Sequence, residues 1–454
     1  PSGGLTGVTD TVSPFNTFLG NLAGDSATSG GINNVAIGNE ALKATTTGDH
    51  NVSIGYQSLG VNTTGGYNVA IGRLALSANT AWENVAVGSR ALYQNTSGEG
   101  NTSIGVESMD DNTTGGNNTA VGMFALGKNT TASGNTAIGR EALELNTTGA
   151  GNVAVGYQAL ETNTTASFNT ALGYQALESN STGASNTAVG HTALFNSTGA
   201  TNTAVGRASL YTNTAGTDNV AVGYNALRLN STGSYNTALG TDALYTNTSS
   251  FNTAVGYQSL YSNTSGSSNT AVGRNALRFN TTAIGNTAVG YSALDRNTTG
   301  AYNVAVGHQA LETNTTASFG TALGYQALES NTTGASNAAL GYQALFENTT
   351  GFDNVAVGAN ALDSNTSGVK NVAIGRNALG ANTTTSANTA IGQEALSSNT
   401  GSDNTAVGYQ ALRLNTTGLR NTAIGRDALA ANTTASFNTA IGKEALKLNT
   451  TGTG

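Results

Sequence analysis

Apolar and polar positions in this chain alternate for only about five residues before the pattern breaks, and then it starts again. The stretch from Asn421 to Phe437 shows the unit: Asn-Thr-Ala-Ile-Gly, then Arg-Asp-Ala-Leu-Ala-Ala, then Asn-Thr-Thr-Ala-Ser-Phe, with a new Asn at 438. Counting the first Asn as position zero, Thr or Val stands at one, Ala or Ser at two, Val, Ile or Leu at three and Gly at four. β-Branched residues at alternating positions predict a short strand there. Ala or Ser at seven precedes Leu at eight (Met109 in one copy), and the Asn-Thr/Ser that follows, often with Gly, is turn chemistry. Read alone, Arg140-Glu141-Ala142-Leu143-Glu144-Leu145 suits a helical turn. Strands stacked at about 4.8 Å leave no room for a helix about 10 Å wide. The Ala-Leu piece is therefore expected to form a second short strand, an arc or at most a 3₁₀ turn.

Copies start at 25 places from Asn34 to Asn438, one of them at Gly320; twenty of the 24 intervals are 17 residues and four are 16. Residues 152–195 and 303–346 are nearly identical, a shift of 151 residues or nine copies. So regular a period predicts an all-β fold: a parallel β-solenoid, or β-roll, of about 25 coils of 16–17 residues, each side chain stacked on its counterpart. Val or Ile at three and Leu at eight are expected as interior ladders, Asn at zero and eleven as amide ladders, and Gly at four as a backbone angle or close contact that a Cβ forbids. The short intervals must lose their residue in a loop. Twenty-five coils predict a rod on the order of 120 Å. One Val or Ile and one Leu per coil make a thin core, and the small residues at two and seven would let chains approach closely, so a homo-oligomer, best a homotrimer, is expected.

Residues 1–33 are an irregular lead-in containing one degenerate copy, Asn16-Thr17-Phe18-Leu19-Gly20, and are expected to be a cap or a junction; residues 34–454 are the repeat shaft. Pro1 and the stop inside a repeat suggest a processed or truncated product.

Composition narrows the function. Charged residues are 9% of the chain and the net charge is -8, without the Lys and Arg clusters that nucleic acid requires. There is no cysteine, hence no disulfide or thiolate site, and no run of eighteen apolar residues to cross a membrane. His50, His191 and His308 are far apart, carboxylates such as Asp110 and Asp111 read as isolated, and no phosphate, dinucleotide or calcium-repeat fingerprint occurs. No catalytic residue, cofactor or metal is expected. Position five alternates between tyrosine (Tyr157, Tyr174, Tyr257, Tyr325, Tyr342 and Tyr409 among them) and arginine. That row is either an aromatic stripe for stacking on sugars or an outer ladder covering the strand. Asn-x-Ser/Thr at position eleven, as at Asn62, Asn95, Asn112, Asn146, Asn163, Asn297 and Asn449, matches the N-glycosylation acceptor pattern and equally suits a turn.

Asn34-Val35-Ala36-Ile37-Gly38, Asn68-Val69-Ala70-Ile71-Gly72 and Asn371-Val372-Ala373-Ile374-Gly375 resemble the Asn-Ser-Val-Ala-Ile-Gly signature of the head repeats of YadA-like trimeric autotransporter adhesins. The form Asn-Thr-Ala-Val-Gly-Tyr-Gln-Ala-Leu is similar to repeats of phage tail fibres and bacterial surface proteins. The resemblance spans residues 34–454 and rests on one short motif. It implies a trimeric, left-handed parallel β-roll, extracellular, on a cell surface or on a virion, used for adhesion. The unit here is longer than the usual head repeat. The expected function is a non-catalytic structural and adhesive fibre that binds itself and a host-surface glycan or protein, with no nucleic acid and no membrane insertion. The alternatives are an ice-binding solenoid, using Thr at one and twelve, or a glycosylated surface filament.

Overall fold

The computed structural model describes residues 15–27 and 30–452. The protein is an all-β parallel solenoid of about 25 turns, with no helix among the described residues. Two compact units, Pro1–Thr232 and Gly233–Gly454, share one design. The first holds strands β1 (Thr17–Leu19) to β13 (Val220–Val222), and the second holds β14 (Thr237–Leu239) to β26 (Thr439–Ile441). Within each unit successive strands pair in parallel with like position on like, as in Thr119 with Thr136, Ala120 with Ala137 and Val121 with Ile138. The degenerate copy is itself a coil in register, with Thr17 opposite Val35 and Leu19 opposite Ile37. Residues 1–14, 28 and 29 of the lead-in lie outside the described residues.

The interior differs from expectation in one respect. Alanine at position two is buried throughout, whereas Val, Ile or Leu at three points outward: Ile138 is 41% exposed and Leu172 47%. The asparagine at zero explains this. It is buried because its amide serves two backbones, and a strand alternates faces with period two. Positions zero and two therefore face in, and one and three face out. The core is built from Ala at two, Ala at seven and Leu at eight, flanked by the two asparagines. Serine enters it in two pairs, with the Oγ atoms of Ser53 and Ser58 2.5 Å apart and Ser103 bonded to Ser108 in the same way, and singly at Ser209 and Ser259, which donate to the Gly206 and Gly256 carbonyls. The alanines expected to let chains pack together thus lie inside a single chain, which removes that ground for a trimer.

The two asparagine rows work differently. At zero, Oδ1 accepts the backbone amide of the next coil's asparagine, as from Asn118 to Asn101 at 3.0 Å, and Nδ2 donates to a carbonyl fourteen residues on, as from Asn118 to Ala132 at 2.9 Å. At eleven, Nδ2 donates both to the preceding asparagine's Oδ1 and to its own turn, as Asn112 does to Asn95 at 2.8 Å and to Gly115 at 3.0 Å. In the four short coils the carbonyl that Nδ2 of position zero reaches is thirteen residues on, as for Asn68 to Ala81 and Asn388 to Gly401. The residue is dropped in the loop after position eleven, as expected.

The Ala-Leu piece is an arc of two turns, closed by bonds such as Ala142 N to Gly139 O and Asn146 N to Leu143 O. Between coils it bonds backbone to backbone, as from Leu143 N to Ala159 O at 3.0 Å. Residues six, eight and sixteen adopt left-handed backbone angles; in one coil these are Gln158 (φ 53), Leu160 (φ 54) and Phe168 (φ 61). For leucine this costs on the order of 1–2 kcal/mol, and burying its side chain, worth about 1.5–3 kcal/mol, offsets the cost. Gly at four carries both restrictions expected of it: Gly122 has φ 139, and a Cβ there would sit 2.4 Å from the carbonyl oxygen of Gly139.

Candidate functional site

Each coil adds one side chain to every lengthwise row on the surface, so the rows are the units in which a site must be sought. The strand face carries positions one and three. In all 26 strands position one is Thr, Val or Ala and position three is Val, Ile or Leu, with no charge in either row. The threonine hydroxyls at position one, Thr119 and Thr136 among them, face outward. By contrast, position-twelve threonines donate to the next coil's carbonyl, as Thr113 does to Thr130 at 2.9 Å.

Position five forms a stack. Tyr157, Tyr174 and His191 follow one another with ring centroids 5.3 and 5.0 Å apart, and the Arg140 guanidinium lies 5.9 Å from the Tyr157 ring. In the second unit Arg274 sits between Tyr257 and Tyr291, 5.8 Å from each, and the row continues through His308 and Tyr325 to Tyr342. Tyr409 packs under Arg426 at 5.5 Å. Inside these runs the ring faces are turned to their neighbours in the row, so edges and hydroxyls face the solvent. Tyr342, followed by Ala359, ends its run. His191 and His308 belong to this stack, while His50 stacks on Tyr67 at 4.7 Å in the position-sixteen row.

Position six is an amide row. Gln175 donates to Gln158 at 2.8 Å and Gln158 to Glu141 at 3.0 Å; Gln57 to Glu40 and Gln410 to Glu394 repeat the arrangement, a carboxylate accepting at the row's start. These bonds hold the Glu40 and Glu394 carboxyls below their ordinary pKa.

Acidic groups are less isolated than expected. Asp110 pairs with Arg90 at 2.6 Å and Asp111 with Lys128 at 3.0 Å, and both partners hold their protons more tightly for it. Glu141, Glu144 and Glu161, from positions six and nine of successive coils, bring carboxylate oxygens within 4.8 Å of one another. Burial, and then the neighbouring carboxylates, push the Glu144 and Glu161 carboxyls up. A surface depression of about 580 Å³ is lined by Ser262, Arg278, Phe279, Thr281, Arg296 and Thr298. Arg278 there is held by Asp295 at 3.1 Å and lies 4.2 Å from the Phe279 ring.

The asparagines of the glycosylation pattern sit in the position-eleven row. Asn62, Asn95, Asn112, Asn146, Asn163 and Asn297 have no exposed surface, and their Nδ2 atoms are hydrogen-bonded. In the folded coil those nitrogens are out of a transferase's reach. Asn449, in the last coil, donates to Gly452 and is partly accessible.

A further surface row, position sixteen, is not singled out by the sequence pattern. Phe168, Phe251 and Phe319 are 70%, 60% and 63% exposed. Their signal was in plain view, an Ala-Ser-Phe or Ser-Ser-Phe ending of the turn, but a residue just before the start of a strand is not conspicuous in a periodicity. No protein-family model matches the chain, and no curated protein matches it.

Proposed function

We propose that the chain is a structural shaft of an adhesive fibre, extracellular or on a virion, non-catalytic, whose copies associate along the strand face. The charge-free strand face carries this reading. An outward face of a solvated strand ordinarily alternates in polar and charged side chains, and a contiguous apolar patch beyond a few hundred Å² on a soluble protein marks an interaction surface. Here Val, Ile and Leu stand in a row with Thr and Val beside them, whereas the position-five, position-six and position-twelve rows bond or stack along their own length. The likeness of the Asn-Val-Ala-Ile-Gly pieces to YadA-like heads and tail-fibre repeats suggests three copies. Sedimentation of the full chain tests it, beside a variant with Val121→Glu, Ile138→Glu and Val155→Glu. The native chain sediments as an oligomer and the variant as a monomer; a native chain that stays monomeric at high micromolar concentration removes the reading.

The same face admits a second reading, ice binding. The position-one threonine hydroxyls, in a row interrupted where Val or Ala takes the position, make no bond among the described residues, whereas position-twelve hydroxyls such as Thr113 and Thr130 are consumed by carbonyls. Thermal hysteresis in the native chain, abolished in the same variant, would favour it.

A further inference from the structure

Exposed phenylalanine is costly surface, and three of the most exposed phenylalanines of this chain share one position and one neighbour. Phe168, Phe251 and Phe319 all stand at position sixteen, and each is followed one coil later by a serine, Ser185, Ser268 and Ser336. The preceding side is filled. Phe319 stacks on Tyr302 with centroids 5.6 Å apart and Phe251 on Tyr235 at 5.3 Å, while Phe168 lies over Gly151, where a Cβ would come within 3.0 Å of the ring. The following side holds no ring. Ser185, Ser268 and Ser336 are exposed, and their hydroxyls make no hydrogen bond among the described residues. Each phenyl therefore shows one free face beside a free hydroxyl, unlike the rings inside the position-five runs.

The surroundings select a ligand class. From position twelve to sixteen, the coil of each phenylalanine and the coil after it read Thr-Thr-Ala-Ser-Phe then Ser-Thr-Gly-Ala-Ser, Thr-Ser-Ser-Phe then Thr-Ser-Gly-Ser-Ser, and Thr-Thr-Ala-Ser-Phe then Thr-Thr-Gly-Ala-Ser. There is no charge among them. The negative face of a phenyl quadrupole attracts the weakly positive C–H face of a pyranose, and neighbouring hydroxyls can meet the sugar's own hydroxyls. We propose that Phe168, Phe251 and Phe319 are stacking platforms for neutral pyranose units of a glycan. This rests on the adhesive reading above and names its ligand, but it does not require the chains to associate.

Saturation-transfer NMR on the full chain tests it, with neutral hexasaccharides of β-linked glucose and of galactose as probes and a sulfated heparin hexasaccharide beside them. Two variants accompany the native chain: Phe168→Ala with Phe251→Ala and Phe319→Ala, and Ser185→Tyr with Ser268→Tyr and Ser336→Tyr. The tyrosines extend each stack and cover the free phenyl face while keeping the phenylalanine. The expected result is transfer to the ring C–H protons of at least one neutral probe, reduced at least fivefold in both variants, with far-ultraviolet circular dichroism unchanged. Transfer to neither neutral probe, transfer to heparin alone, or transfer that survives covering by tyrosine overturns the proposal. Because sedimentation reads self-association separately, a monomer that binds sugar and an oligomer that does not are distinguishable.

Discussion

The side-chain oxygen of Asn303 accepts the backbone amide of Gly320 at 2.7 Å, and there the position-zero relay stops. Every other regular coil has an asparagine to pass the bond on. Gly320 has no side chain, so the buried Asn337 lacks the acceptor that Asn337 itself provides to Asn354 at 3.0 Å. Gly320→Asn is expected to stabilise the second unit by roughly 1–3 kcal/mol, the value of satisfying a buried donor. Slower hydrogen exchange at the Asn337 amide and a higher thermal midpoint check it; no change at that amide would mean that it already has a partner.

The opposite experiment belongs in the position-eleven row. Asn112 donates to Asn95 and Gly115 and accepts from Asn129 at 2.7 Å, all without exposure. Asn112→Ala strands several of these groups, and a loss of about 2–4 kcal/mol is expected. Asn112→Asp is expected to be worse at neutral pH, because it buries a charge that has no cation beside it. In a repeat protein such damage is local, so exchange at the amides of Thr113 and Thr130 should rise before the global urea transition moves.

Glycine separates the two halves of the coil. Gly122→Ala meets both a left-handed angle and the Gly139 carbonyl, and a loss of at least about 3 kcal/mol is expected. Gly380, at position nine, would place its Cβ no nearer than 3.5 Å from any neighbour. Gly380→Ala is expected to stabilise by about 0.4–1 kcal/mol through the unfolded chain. Thermal melts of the two variants decide it; equal effects would show that position four is not specially restricted.

The period, the parallel stacking, the loop that absorbs the short intervals and the amide rows were legible in the sequence, because identical neighbours at a fixed interval leave little else to build. The parity of the strand is the reverse of what hydropathy suggests. Val121 and Ile138 look like core residues by hydropathy, and Ala120 and Ala137 look like filler. What decides is Asn118: its amide must reach the Ala132 carbonyl, which turns the strand's even positions inward and gives the odd ones to the surface. The thin core then takes alanine because Leu126 and Leu143 occupy the space opposite. The acidic cluster at Glu141, Glu144 and Glu161 was hidden for a similar reason, since residues three and seventeen apart look scattered until coils are laid side by side.

That cluster gives a pH dependence with a definite sign. Glu161 has its folded-state pKa raised, by burial first and then by Glu178, Glu141 and Glu144. The native state therefore holds a proton that the unfolded state has released, and stability falls as pH rises through this window. In the wild-type chain the group opposes folding at neutral pH, and the opposition fades as pH falls toward the ordinary glutamate pKa of about 4.3. Glu161→Gln keeps the shape and removes the charge. Its thermal midpoint is expected to exceed that of the wild type at pH 7.5, and the gap should close on acidification to pH 4. The Glu394→Gln variant should show the reverse sign, because Gln410 holds the Glu394 carboxyl below its ordinary pKa and that stabilising contribution is lost as pH falls. Melts of both variants at the two pH values check it, and a Glu161→Gln gap that stays constant with pH would show that the carboxyl titrates like an isolated glutamate.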